Sequence, residues 1–232
     1  MSQPTPILSV KSLCAGYDNN YVVNDVSFAL QKGEVIGLVG LNGAGKTTLI
    51  KTLLGLRACF SGEIDVSSRH DISYLPERFE PPWFLTGYQF IRFSLRLNKT
   101  NMTRDEVEAQ AQNISLDTGF LHKYVHTYSK GMRQKLGLLA TILSGCSLLI
   151  LDEPMSGLDP QARQEVKKLI RDVKAQGRSV FMSTHVLADV EEICDRVVVF
   201  HANHLQFFGT PDEMKHKGNN NNLEKAFLNL VS

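Results

Sequence analysis

Two stretches of the chain put phosphate chemistry within reach. The first is GLNGAGKT. Gly40, Leu41, Asn42, Gly43, Ala44, Gly45, Lys46 and Thr47 match the spacing GxxxxGK[ST]. Glycines let consecutive backbone N–H groups curl around phosphate oxygens. The helix expected to begin there adds partial positive charge, with Thr48 in its first turn as a further nucleotide contact. Lys46 can reach β- and γ-phosphates, and the Thr47 hydroxyl is a ligand for Mg²⁺. The second stretch is LLILDEP, from Leu148 to Pro154. Its apolar residues read as a buried strand, with Asp152 and Glu153 at the C-terminal edge, where parallel sheets bind ligands. Asp152 suits the Mg²⁺ shell, and Glu153 can take a proton from an attacking water. A glycine-rich turn or an acidic strand end can each be merely structural. The two together, the first between a strand and a helix, favour the chemistry.

The elements that must position these residues follow from periodicity. ILSVKSLCAGY and VVNDVSFALQKGE alternate as two half-buried strands, with YDNNY between them as a turn. EVIGLVG is a short strand closed by glycine, and TTLIKTLLGL has helical spacing at Leu49, Thr52, Leu53 and Leu56. GEIDV and DISYLPE read as further strands. Between about Pro81 and Gly145 the texture turns helical, in TGYQFIRFSLRL, TRDEVEAQAQNI and GMRQKLGLLATIL. After the strand SLLILDEP comes a helix from Pro160, a first-turn residue, to a cap at Gly177. A strand (RSVFMSTH), a helix (VLADVEEICD), a hairpin (RVVVF to LQFFG), a GNNNN loop and a short amphipathic helix (LEKAFLNLVS) complete the chain. Strands alternating with helices predict an α/β fold with a mainly parallel sheet, and the early hairpin predicts an antiparallel β piece beside it.

The 232 residues fit one domain with insertions, or two small ones. A hydrophobic share of 43%, a charged share of 21% and a formal net charge of +1 are ordinary globular values, so no bulk attraction to nucleic acid or lipid is implied. The first residues lack the pattern of a secretory leader, and no run approaches the roughly 18 apolar residues of a membrane span. Cys14, Cys59, Cys146 and Cys194 have no metal-site spacing and read as reduced thiols.

With these motifs in this order, the chain resembles the ATP-binding cassette family, the nucleotide-binding subunits of transporters. The resemblance runs from about Ile7 to Gly209 and makes residues 1–232 one nucleotide-binding domain. It implies a P-loop NTPase core, an antiparallel β subdomain, an inserted helical subdomain (about 81–145) and a C-terminal helix (about 223–231). GLNGAGKT is then the phosphate loop and LLILDEP the second acidic motif. SGLD resembles the dimer-contacting loop, which gives Asp159 a partner contact, though Asp159 can equally cap the helix after it. STH places His185 as the switch residue on the γ-phosphate, and Tyr17 falls where an aromatic stacks on adenine. YLPE places Glu77 in a loop that usually carries Gln, near Mg²⁺ and the γ-phosphate. YSKGM corresponds to the family signature, which completes the nucleotide site of a second subunit. Ser129, Lys130, Gly131 and Met132 would therefore act in trans, with two ATP molecules held in a head-to-tail pair.

The implied function is ATP hydrolysis that powers transport. ATP and Mg²⁺ would be the cofactors, with a copy of the chain or a paralogous cassette as the partner. A separate multi-spanning permease would hold the subunit at the cytoplasmic face of the cell membrane. The signature departs from the common LSGGQ at Tyr128, Lys130 and Met132, and together with Glu77 this resembles export-type cassettes. Lys130, Arg133 and Lys135 could suggest nucleic acid, but three charges on one helix are more often a solvated face. A cassette acting on DNA or ribosomes typically carries long coiled coils, fused cassettes or zinc cysteines, none of which is in the sequence. A GTPase would need a base-reading motif such as NKxD, also absent. The transported substrate is not encoded in these motifs.

Overall fold

The structure, a computed structural model, describes residues 5–18 and 20–231. The chain opens with an antiparallel pair, β1 (Leu8–Tyr17) and β2 (Asn20–Leu30), followed by β3 (Val35–Val39), α1 (Lys46–Leu53), β4 (Ser61–Val66) and β5 (Ile72–Leu75). Three helices come next: α2 (Gly87–Leu97), α3 (Arg104–Gln112) and α4 (Lys130–Leu143). The alternation then resumes with β6 (Leu148–Leu151), α5 (Pro160–Ala175), β7 (Ser179–Thr184), α6 (Leu187–Ile193), β8 (Arg196–His201) and β9 (His204–Gly209). It closes on α7 (Pro211–Lys217) and α8 (Leu223–Val231).

Two sheets result. A six-stranded sheet runs β5-β6-β7-β3-β8-β9, parallel except for the β8–β9 hairpin, and a three-stranded antiparallel sheet runs β2-β1-β4. The larger sheet is covered on both sides, so its central strands are buried at nearly every position rather than alternating. Leu148 and Ile150 of β6 face one core with Phe181 and the inner face of the small sheet, including Leu13, Val26 and Phe28. Leu149 and Leu151 face the other, with Val180, Met182 and the apolar stripes of α4 and α5. Phe181 is fully buried and stacks on Phe28 with ring centroids 5.4 Å apart, which pins the two sheets together. A third cluster beneath β8 buries Leu223 and Phe227 of α8 against Val39, Val190 and Met214, so this terminal stripe docks on its own domain.

Local chemistry sets the ends of the helices. α2 and α3 start at capping boxes, Thr86 with Gln89 and Thr103 with Glu106. α5 starts at Asp159 with Pro160 in its first turn and ends before Gly177, whose φ of 77° terminates the helix as expected. Three sequence expectations need correction. YDNNY is not a turn throughout: Tyr17 ends β1 and pairs with Asn20, and Tyr21 belongs to β2. α1 stops at Leu53, and Leu56 beyond it is 68% exposed, because Gly55 turns the chain with φ of 71°. α7 is a helix that the periodicity does not predict, although Thr210, Pro211 and Glu213 spell a capping box with proline in the first turn. The Phe28–Phe181 stack yields a direct test. Phe181→Ala should cost about 3–5 kcal/mol, seen as a lowered urea midpoint with little change in slope.

Candidate functional site

The phosphate loop links β3 to α1 under tight steric limits. A Cβ on Gly40 would lie 2.4 Å from the Phe200 carbonyl oxygen, so the loop passes against the end of β8. Gly45 has φ of 105°, and a Cβ there would fall 2.7 Å from Val22 Cγ1 and 2.9 Å from the Val22 carbonyl oxygen. Only glycine serves at such a position. Lys46 folds back over the loop and donates from Nζ to the carbonyl oxygens of Gly40 at 2.7 Å and Leu41 at 3.4 Å. The Thr47 hydroxyl donates to Asp152 Oδ2 at 3.0 Å.

The sheet order brings the acidic motif to this loop. Asp152 and Glu153 follow β6, and His185 follows β7, the strand lying between β6 and β3. Ser183 near the end of β7 joins them: its hydroxyl donates to Asp152 Oδ1 at 2.5 Å and accepts from the Glu153 backbone N–H at 2.9 Å. Glu153 sits at φ of 49°, a left-handed conformation that costs a non-glycine residue about 1–2 kcal/mol. That bend sends its carboxylate between Lys46 Nζ at 3.9 Å and His185 Nδ1 at 2.9 Å. Lys46, Asp152 and Glu153 are buried, whereas His185 is exposed. Sequence reasoning missed Ser183, whose signal is its place two residues before His185 in the same STH stretch.

Tyr17, the loop from Asn42 to Thr48, Glu77, Asp152, Glu153 and His185 all line one open cavity of about 580 Å³. Gly40 and Leu41 do not line it: Gly40 lies beneath the loop and Leu41 projects outward, half exposed. The Tyr17 phenol pKa is lowered, first by hydrogen bonding to the Thr48 side chain and then by the Arg57 and Lys51 charges. Glu77 also lines a second cavity of about 790 Å³, which it shares with Trp83, His126, Lys130, Arg133 and Ser156. Burial and the negative charges of Asp152 and Glu77 push the Tyr74 phenol up to about 12. The Thr47 hydroxyl and Asp152 carboxylate are hard oxygen donors side by side. They suit Mg²⁺, which takes one or two protein oxygens and completes its shell with phosphates and water.

The signature residues are not brought to this cavity. Ser129 caps α4, its hydroxyl accepting from the Met132 N–H at 3.2 Å, while the Met132 side chain packs against the helical core. Lys130 folds over the following loop, so that a Cβ on Gly157 would lie 3.5 Å from its Nζ. Gly131 has room for a side chain: the nearest atom a Cβ there would meet is Leu158 Cδ2, at an ordinary contact distance of 3.8 Å. Tyr128 is a buried anchor: its hydroxyl donates to the Phe120 carbonyl at 2.5 Å, and desolvation pushes its pKa up to about 12. Asp159 caps α5 through the Ala162 N–H at 2.9 Å, and this bond holds its carboxyl below the usual range.

A sequence model of the family described as ABC transporter matches residues 23–156. The chain belongs to the ABC transporter family. It is an ATP-binding subunit, similar along most of its length to named relatives. YxlF of Bacillus subtilis, an uncharacterized ABC transporter ATP-binding protein, is 36% identical over 93% of this chain and 75% of its own length. EcsA of the same organism, an ABC-type transporter ATP-binding protein, is 32% identical over 90% of this chain and 89% of its own. A fluoroquinolones export ATP-binding protein of Mycobacterium tuberculosis is 33% identical over 91% of this chain and 73% of its own. A solved ATP-binding subunit of an ABC transporter superposes with a TM-score of 0.88 at 31% identity, covering 97% of this chain and 99% of that one. The parallel sheet, antiparallel sheet and helices are those of the ABC ATPase fold. For this ATP-binding subunit, Gly45→Ala should strain the loop by about 1–3 kcal/mol. Calorimetric titration should then show ATP affinity falling about tenfold or more, with far-ultraviolet circular dichroism retained.

Proposed function

We propose that the chain hydrolyses ATP within a head-to-tail dimer and thereby drives export through a separate membrane permease. The observation that carries this reading is the Glu153 carboxylate, bent by its backbone into the space between Lys46 and His185 at the phosphate loop. A carboxylate in that place serves as general base for an attacking water. Lys46 neutralises the β- and γ-phosphates once they replace the loop carbonyls as its partners, and His185 orients the γ-phosphate and the water. Thr47 and Asp152, with Glu77 nearby, would hold Mg²⁺, which when bound would further neutralise phosphate charge.

Ser129, Lys130, Gly131 and Met132 act in trans. Their helix start lies away from the phosphate cavity of its own chain, and a helix N-terminus is a ready anion site. Ser129 Oγ already accepts from Met132, yet its O–H remains able to donate to a partner's γ-phosphate. Lys130 must leave the Gly157 loop to do the same. Asp159 contacts the partner while capping its own helix, and the partner is a copy of this chain or a paralogous cassette. The domain works as one unit, with the helical part (about 81–145) carrying the signature and the helix at about 223–231 closing the core.

The permease docks at the cavity beside Glu77 and the helical part. Trp83, Phe84 and Tyr124 expose large aromatic surface in that neighbourhood, which suits a protein partner. Among the described residues no helix is long and apolar enough to cross a membrane, so the membrane path is assigned to that partner. The subunit acts on the cytoplasmic side of the cell membrane, without nucleic acid. The mycobacterial relative named for fluoroquinolone export supports the outward direction.

Glu153→Gln should retain ATP binding and lose phosphate release by about 10²–10⁴-fold. Tagged, loaded with ATP and Mg²⁺ and recovered from detergent-solubilised host membranes, it should bring down a multi-spanning membrane protein, identified by mass spectrometry. Recovery of ribosomes or DNA-bound proteins instead would sink the transport reading.

A further inference from the structure

Tyr17 has an unusual environment on the side away from the phosphate loop. The ring ends β1 and is 43% exposed. The Arg57 guanidinium lies over it, 3.5 Å from the ring centroid, a distance reached only above a face and not at an edge. Arg57 does not line the 580 Å³ phosphate cavity that Tyr17 lines. It lines instead a separate cavity of about 410 Å³ with Thr52, Gly55 and Arg69. One face of the ring is therefore taken by a cation that does not line the nucleotide cavity, while the ring itself does line it and stays 43% exposed.

Arg57 is itself held on both sides of this contact. Its Nη1 donates to the Gly16 carbonyl oxygen at 2.7 Å, one residue before Tyr17 on the same strand. Its backbone N–H donates to the Lys51 carbonyl oxygen at 3.2 Å, near the C-terminal end of α1. The helix that presents the phosphate loop at its start thus fixes this arginine at its end. Arg57 Nε is buried and has no hydrogen-bond partner among the described residues. The guanidinium thus lies over the ring with Nε unpaired, a placement that its side-chain hydrogen bond to Gly16 does not explain alone.

We propose that Arg57 is a positioning residue for the adenine base, bracing Tyr17 from behind so that guanidinium, phenol ring and purine form a three-layer stack. The proposal rests on the reading that Tyr17 carries the base. Two physical effects follow from the brace. It orders the ring before ATP arrives, which removes an ordering cost from binding. It also draws the ring's π-density toward the cation, which lessens the repulsion a stacked, electron-rich purine meets on the opposite face.

The test compares ATP with inorganic tripolyphosphate, a probe without a base, by calorimetric titration of the full chain. Arg57→Ala should weaken ATP about three- to tenfold and leave tripolyphosphate unchanged. Arg57→Lys, which restores a cation without the flat fork, should recover part of the loss. Tyr17→Ala should weaken ATP at least as much, and adding Arg57→Ala to it should cost nothing further. The proposal is overturned if Arg57→Ala weakens both probes equally, because Arg57 then acts on the phosphate loop. It is also overturned if Arg57→Ala leaves ATP affinity unchanged while Tyr17→Ala lowers it. If Tyr17→Ala itself has no effect on ATP, the base does not sit on this ring, and the underlying reading fails with the proposal.

Discussion

An ammonium and a carboxylate held out of water need rigid partners, or desolvation costs more than their attraction returns. Lys46 and Glu153 are such a pair, 3.9 Å apart with side chains only 8% and 10% exposed. Neither is satisfied by the other alone. Lys46 leans on loop carbonyls, Glu153 on His185, and Asp152 beside it on Thr47 and Ser183. The whole arrangement requires the ends of β3, β6 and β7 to lie side by side. The strand order β6-β7-β3 supplies that, and the strands are buried on both faces because helices and a second sheet clamp them in register. The site is thus the reason for the buried sheet as much as its product.

The parts of this arrangement that a sequence can show are those with local causes. The phosphate loop is legible because glycine, lysine and threonine at fixed spacing have a local reason to be there, and Gly45 adopts a φ of 105° that a side chain would strain. α5 is legible from proline at its start and glycine after its end. The apolar run Leu148–Leu151 is legible as a buried strand from its composition alone. α7 is equally legible in principle, since its capping box is written in Thr210 and Glu213, but a helix of seven residues shows no clear apolar stripe to draw attention to it.

What stays hidden depends on residues far apart in the chain. Ser183 bridges Asp152 and Glu153 only because β7 lies against β6. Arg57 reaches Tyr17 only because the end of α1 comes to lie beside β1. The tyrosine that replaces leucine in the signature is a buried anchor whose hydroxyl finds the Phe120 carbonyl, a partner that no local pattern announces. The boundary of α1 misleads for the opposite reason: Leu56 continues the helical spacing, but Gly55 reverses the chain before the spacing can be used.

Glu77 and Ser156 line both of the larger cavities, so a single wall divides the nucleotide space from the groove beside the exposed aromatic residues. A shared wall makes the two spaces thermodynamic neighbours. An occupant of the groove that favours one position of this wall changes ATP affinity by some factor, and ATP must change the affinity of that occupant by the same factor. For such an occupant the wall is a two-way valve, weighing nucleotide and occupant against each other in equal measure.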